Sequence, residues 1–439
     1  TDYDIVIIGS GAGGGTLAYA LADTGKQILI LERGDFLPTE GKNWDAEALF
    51  NEGAYKTTEE WIDKDGNSFA PSTYYRVGGN TKVYGAALMR MRKEDFGPVQ
   101  HHDGVSPAWP LPYAALEPYY TTAERLYHVH GRAEEDPTDP PRGAPFPHPP
   151  VPHDDRIARL ARDLEGLGHQ PFHLPMGVRL NEDDDPDEPF LLRELYNALG
   201  HEAFDGYPDL TRMKADAETI CVRPALAHDN VHLRTGAMVT RLHTDASGGT
   251  VTEVEFDTDD GTETVTGDVV VVSCGAINSA ALLLRSANDA HPNGLANGSD
   301  QVGRNYMAHN NSALLALSKE PNPTRFQKTL GLNDFYFGDD AAEYPLGHIQ
   351  MLGKSNATQL GTEAPGFTPT MALDTMADHA LDFWLTTEDL PDPNNRVTLD
   401  DDGQIHLHYT RNNTTPHEEL IRRLKDMLGQ LGCHDRLLP

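Results

Sequence analysis

Gly9, Gly11 and Gly14 stand at G-x-G-x-x-G spacing, and Glu32 follows 18 residues after Gly14. Glycine at these positions allows a tight turn, close approach of backbone to a pyrophosphate, and packing of a helix on a strand. A helix opening at that turn would offer unpaired N–H groups and a partial positive charge to phosphate. Glu32 stands where a carboxylate can accept hydrogen bonds from a ribose. The chemistry these residues suit is the holding of a dinucleotide. Other chemistries lack their motifs: the chain has no G-x-S-x-G elbow, no H-E-x-x-H pair and no G-x-x-x-x-G-K-[ST] loop. His101–His102 and the pair His228 and His232 lack further ligands at metal spacing, so no metal site is expected.

The elements that must position the glycines are legible around them. Residues 4–8 (DIVII) form a short β-branched apolar run, as expected for a strand buried on both faces of a parallel sheet. Residues 16–24 suit a helix stopped by Gly25, and residues 27–31 a second strand ending at Glu32, which completes a βαβ unit. The stretch 136–153 carries prolines at 137, 140, 141, 145, 147, 149, 150 and 152, so it reads as an extended connection and a change of domain. From residue 230 short strands with hairpin punctuation read as a β-meander feeding a buried strand at 268–273, followed by a helix at 277–285. Residues 395–409 read as a hairpin around 400–403, with Ile405, Leu407 and Tyr409 on one face and His406 and His408 on the other. An amphipathic helix is expected at 418–431. These elements predict an α/β fold in which a Rossmann-like dinucleotide domain is interleaved with insertions. A βαβ unit at the start, and a matching strand and helix more than 230 residues later, favour FAD over NAD.

The 439 residues carry 35 Lys plus Arg against 68 Asp plus Glu, a formal charge of −33. That excess repels phosphate backbones and anionic lipid, so nucleic-acid and membrane partners are not expected. Acidic clusters at 183–188 and 400–402 read as solvated loops. Three cysteines, Cys221, Cys274 and Cys433, have no C-x-x-C spacing, which fits a reducing cytoplasm. No apolar run approaches the roughly 20 residues of a membrane span, and no signal peptide is expected.

Several segments together resemble the glucose-methanol-choline (GMC) family of flavin oxidoreductases: GSGAGGGTLAYALADTGKQILILERG at 9–34, RVGGNTKVYGAALMRMR at 76–92, SCGAINSAALLLRSA at 273–287, VGRNYMAH at 302–309 and EDLPDPNNRVTLD at 388–400. Within it, the chain is most similar to the sugar-oxidising branch of pyranose oxidases and bacterial C-glycoside oxidases. The resemblance implies a first FAD-binding part at 1–135 with a flavin loop at 76–92, a substrate connection at 136–220, and a second FAD part at 221–304. An α+β substrate domain built on an antiparallel sheet at 305–410 and a return helix at 411–439 follow, and the family's closing strand and helix would lie beyond Pro439. It implies that Gly9, Gly11, Ala12 and Gly14 meet the pyrophosphate, Glu32 and Arg33 the ribose side, and Val239 the adenine. Gly78, Gly79, Asn80, Thr81, Tyr84, Gly85 and Ala86 would run past the flavin ring, and Cys274 and Gly275 would form the turn after the second cofactor strand. Cys274 also reads as a small buried hydrophobe.

Departures from the family pattern carry information too. Val83 stands where tethering members have a histidine, so FAD would be non-covalent and dissociable. Tyr84, Ala280 and Ala287 replace residues common in the alcohol-oxidising subgroups. The family's catalytic histidine and its His or Asn partner would lie beyond Pro439. None of the 20 histidines here is expected to replace them; Glu388 is the candidate substrate-side carboxylate. The expected activity is hydride transfer from a secondary hydroxyl of a sugar or glycoside to flavin, with electrons passed to O2 or another acceptor. The competing readings are a non-catalytic FAD-binding fragment, a GMC dehydrogenase of a non-sugar alcohol, and an NAD-dependent dehydrogenase. Oligomeric state is not legible.

Overall fold

The computed structural model describes residues 2–180, 204–363 and 368–433. The acidic cluster at 183–188 and His434 lie outside them. In chain order, the elements that build the site are Tyr3–Ile8 (β1), Ala12–Ala22 (α1) and Ile28–Leu31 (β2). Tyr113–Leu126 (α2), Asp155–Gly166 (α3) and Pro171–His173 (β3) come next. They are followed by Val231–Arg234 (β4), Met238–Thr244 (β5), Val251–Thr258 (β6), Gly261–Val265 (β7), Gly267–Val272 (β8) and Ala276–Arg285 (α4). Asn310–Leu317 (β9), Leu330–Leu332 (β10), His348–Met351 (β11), Ala380–Thr387 (β12), Arg396–Leu399 (β13), Ile405–His408 (β14) and Thr414–Gln430 (α5) close the series.

The first sheet is parallel, in the order β4-β2-β1-β8. Its central strands alternate their side chains into two cores, which is why both faces of the Ile-rich run are apolar. On one face Ile7, Ile28, Ile30 and Val231 pack with Ala18 and Ala22 of α1 and with Val222 and Ala225. On the other, Val6, Ile8, Leu29 and Leu31 pack with Val239, Leu242, Val254 and Phe256 of the antiparallel β5-β6-β7 sheet and with Leu282 of α4.

Four sequence expectations are corrected here. Helix α1 begins at Ala12 instead of residue 16, so Gly13, Gly14 and Gly15 form its first turns; the close fit of α1 on β1 outweighs the low helix propensity of glycine. Residues 231–234 belong to the parallel sheet, because they pair with β2, and only 238–265 form the meander. Strand β8 lies at the sheet edge among the described residues and Val269 is 53% exposed, so this strand is not buried. Helix α5 starts at Thr414, with Pro416 in its first turn, where the absent N–H would have had no partner.

The second sheet, β9-β12-β11-β10-β3, is antiparallel and collects strands from sequence positions 171 to 387. Register places Ile349 opposite Leu385 and Met351 opposite Phe383. These four side chains form one core with Ile157, Leu160 and Leu164 of α3 and Leu420 and Leu424 of α5. The alternate residues, His348 opposite Thr386 and Gln350 opposite Trp384, share the other face. One face of this sheet is therefore core, and the other is a largely polar wall. The 395–409 hairpin forms as β13 and β14, with the His406 and His408 rings 6.3 Å apart on one face.

Candidate cofactor and substrate site

A cavity of about 610 Å³ opens at the C-terminal ends of β1, β2 and β8, lined by Gly9 through Gly13, Glu32, Arg33, Gly79 through Thr81, Ala237 through Val239 and Ser273 through Ala276. This is the position at which open α/β sheets bind ligands. Two helix N-termini meet it. The N-cap residues are Gly11 for α1 and Gly275 for α4, and neither end has a side-chain cap. First-turn N–H groups and two helix dipoles thus converge on one space, an arrangement suited to an anion such as a pyrophosphate.

The glycines divide into two kinds. A Cβ on Gly14 would lie 2.0 Å from the Gly9 carbonyl oxygen, so this glycine lets α1 touch β1. A Cβ on Gly11 or Gly275 would meet nothing within 4 Å, because these two border open space. Glu32, at the end of β2 and 6% exposed, braces the loop. Its Oε2 accepts hydrogen bonds from the Ser10 N–H at 3.0 Å and the Ser10 hydroxyl at 2.6 Å, and its Oε1 accepts from the Gly34 N–H at 3.0 Å. The Gly78 N–H donates to Ser10 Oγ at 3.1 Å, tying the 76–92 loop to the glycine turn. Ser10 joins three cofactor segments. Its only signal in the sequence is its place between glycines.

Arg33 stacks on Tyr75 at 3.6 Å and reaches Glu59 at 3.4 Å. Asn278, Ser279 and Arg285 of α4 also line the cavity, and all three lie within the 273–287 segment. Burial pushes the Cys274 thiol up to about 11, so at neutral pH it is a protonated lining group. Val239 lines the cavity just before a register shift in β5.

Of the predicted cofactor residues, Gly14, Gly78, Tyr84, Gly85 and Ala86 lie behind the cavity wall. Tyr84 donates its hydroxyl to the Ala215 carbonyl at 2.5 Å, and burial drives its pKa well above the usual phenol value. Gly85 leaves room for Lys328 and Asp205, and Ala86 is core. Under the same loop Lys82 pairs with Asp216 at 3.1 Å and Glu218 at 2.7 Å. Burial opposes its charge, and the two carboxylates outweigh burial and raise its pKa. Val83 ends this turn and has no side-chain nucleophile.

A second cavity, of about 860 Å³, is walled by the polar face of β11 and β12, the end of the 76–92 loop and residues 99–110. His348, Gln350, Trp384 and Thr386 form the sheet wall, and Glu388 follows directly after β12. The Glu388 side chain is 43% exposed, accepts a hydrogen bond from Ser106 at 2.9 Å and lies 3.4 Å from His101. His101 is 2% exposed, and neither ring nitrogen has a hydrogen-bond partner. Burial lowers its pKa, against the pull of Glu388. Other charges on this wall are committed: Arg90 to Glu117 and Glu124, Arg92 to Asp136, Asp95 to the Arg92 N–H and the Tyr336 hydroxyl, and Asp389 to the 308 and 309 N–H groups. Hydrogen-bonding groups beside an indole plate suit a polyhydroxylated ligand, whose C–H faces stack and whose hydroxyls pair.

Residues 7–47 match the family model for an NAD(P)-binding Rossmann-like domain, and residues 195–311 match the model for GMC oxidoreductase. The chain is 34% identical over 307 residues to 6'''-hydroxyparomomycin C oxidase of Streptomyces lividus, an alignment covering 69% of this chain and 53% of that protein. It is 28% identical over 446 residues to 2-methyl-1,2-propanediol dehydrogenase of Mycolicibacterium austroafricanum, covering 95% of this chain and 78% of the relative. The chain spans about half the length of the first curated relatives it matches. The crystal structure of pyridoxine 4-oxidase from Mesorbium loti superposes with a TM-score of 0.64 at 18% identity, over 100% of this chain and 83% of the other, which establishes the shared fold.

Proposed function

We propose, for a chain that belongs to the glucose-methanol-choline (GMC) oxidoreductases, that it binds FAD in the first cavity and oxidises a secondary hydroxyl of a sugar or glycoside presented from the second. The observation that carries this reading is the cradle itself. Gly11 and Gly275 border open space at two uncapped helix N-termini, with Glu32 bracing the turn between them. The residues present fit the cofactor. Gly9 to Gly13 and Gly275 to Ala276 would hold the pyrophosphate, Glu32 and Arg33 the ribose side, and Ala237 to Val239 the adenine. Gly79 to Thr81 would flank the flavin. When bound, FAD supplies the two-electron acceptor for hydride leaving the alcohol carbon.

The protein's own contribution is orientation and exclusion of water. Trp384 would stack on the sugar ring, while Gln350, Thr386 and Glu388 would take its hydroxyls. Val83 leaves FAD without a covalent link through this loop, so the flavin should dissociate on unfolding. Electrons would pass to O2 or another acceptor. The three cysteines are free, which accords with work in a reducing cytoplasm.

A second reading, oxidation of a small non-sugar alcohol, is favoured by the match to the propanediol dehydrogenase over 95% of this chain. The aminoglycoside-oxidase relatives favour the sugar reading. Turnover of the FAD-loaded protein with a panel of sugars and glycosides, and separately with 2-methyl-1,2-propanediol, decides between them, read as hydrogen peroxide or dye reduction. Preference for the diol would overturn the sugar reading.

A further inference from the structure

His348 lies on the polar face of β11, 8% exposed and on the wall of the second cavity. Its surroundings decide which ring nitrogen carries the proton. Asp136 forms a salt bridge with Arg92, so its carboxylate only accepts hydrogen bonds. The Asn333 side chain places its NH2 on that carboxylate at 2.7 Å, which turns the amide oxygen, Oδ1, toward His348. His348 Nδ1 lies 2.7 Å from Oδ1 and must be the donor. Burial first, and the Arg92 charge second, hold the imidazole neutral down to about pH 4. A neutral ring protonated at Nδ1 has a bare lone pair at Nε2. Gln350 Oε1, itself an acceptor, lies 3.4 Å from Nε2. Two acceptors that cannot pair with each other stand on a cavity wall, and each is satisfied by its own O–H donor.

From this network we infer that His348 is a positioning residue: its Nε2, locked as an acceptor by the Arg92–Asp136–Asn333 chain, takes a hydrogen bond from one particular hydroxyl of a sugar in the second cavity. The inference deepens the sugar reading and rests on it. Gln350 Oε1 would accept from the neighbouring hydroxyl. A vicinal pair of hydroxyls matches two acceptors on residues i and i+2 of one strand. A site built to receive a hydroxyl discriminates strongly against the deoxy analogue, because the acceptor is then left buried and unpaired.

The test is calorimetric binding to FAD-loaded protein of D-glucose, methyl β-D-glucopyranoside and the monodeoxy derivatives of glucose. Wild type is compared with His348→Phe, which removes the acceptor, and His348→Gln, which keeps an acceptor at similar reach. The expected result is a loss of about tenfold or more in affinity for the parent sugars in H348F. Flavin content should stay unchanged, H348Q should recover part of the loss, and a single deoxy sugar should bind wild type and H348F equally. Equal affinities in wild type and H348F, or an equal loss across every deoxy sugar, would overturn the inference while leaving the FAD and sugar readings standing. Should H348F fail to fold, H348Q carries the test: discrimination against that one deoxy sugar must persist in H348Q, and its absence from the wild type would overturn the inference. Wild-type protein that holds FAD and binds none of these sugars would overturn the sugar reading, and the inference with it.

Discussion

Glu32 and His348 show two ways in which a side chain acquires a role. Glu32 is fixed by Gly34, two residues on, and by Ser10 inside the glycine motif, and its spacing from those glycines makes it readable in advance. His348 was one imidazole among 20, and nothing in its local sequence distinguishes it. Its tautomer depends on Asn333, 15 residues away, and through Asn333 on Asp136, a further 197 residues away. Pairing across such distances is set by the tertiary fold and leaves no motif. Ser10 was missed for the opposite reason, since a small polar residue between glycines is commonplace. His348 also carries a pH prediction. The unfolded chain takes up a proton at this group near the ordinary value of about 6.5, whereas the folded protein resists until about 4. The folded state therefore binds fewer protons in that interval. Stability from this group is lost as pH falls from about 6.5 to about 4 and changes no further below. Melting temperatures measured across that interval should fall less steeply for H348Q than for wild type; parallel profiles would contradict the assignment.

At the scale of elements, the glycine turn separates packing from binding. Gly14→Ala puts a methyl group 2.0 Å from the Gly9 carbonyl oxygen, and backbone cannot yield cheaply. Loss of about 2 kcal/mol or more of stability is expected, together with loss of FAD. Gly11→Ala meets no protein atom within 4 Å. It should melt within a few degrees of wild type in the absence of flavin and yet bind FAD at least tenfold more weakly, because the methyl group occupies cofactor space. Parallel flavin titrations and thermal melts of the two variants check this, and a Gly11→Ala protein with normal FAD affinity would place the cofactor elsewhere. The strand–turn–helix–strand order was legible because hydrophobic period and glycine spacing agree. The helix start was not, because tertiary contact between α1 and β1 draws three glycines into a helix that propensity alone would exclude. The 231–234 strand was assigned to the wrong sheet for a related reason: a four-residue strand does not reveal its partner, and β2 claimed it.

Across the whole molecule, the interleaving of two sheets was readable from the return of a strand and helix at 267–285, far from the βαβ unit they complete. The polar wall of the second sheet was not, since its register is set by pairing between β11 and β12, which lie about 30 residues apart in sequence. In the proposed function the two cavities would divide the work: the C-terminal ends of the parallel strands would hold the redox group, and the polar face of the antiparallel sheet would orient the sugar. The most direct single measurement is the visible absorbance of the FAD-loaded protein on anaerobic addition of a sugar or glycoside. Bleaching of the oxidised flavin band by a sugar, restored on admitting oxygen or an electron-accepting dye, is the result predicted. A protein that retains FAD and keeps its colour in the presence of every sugar and glycoside tested would contradict the account.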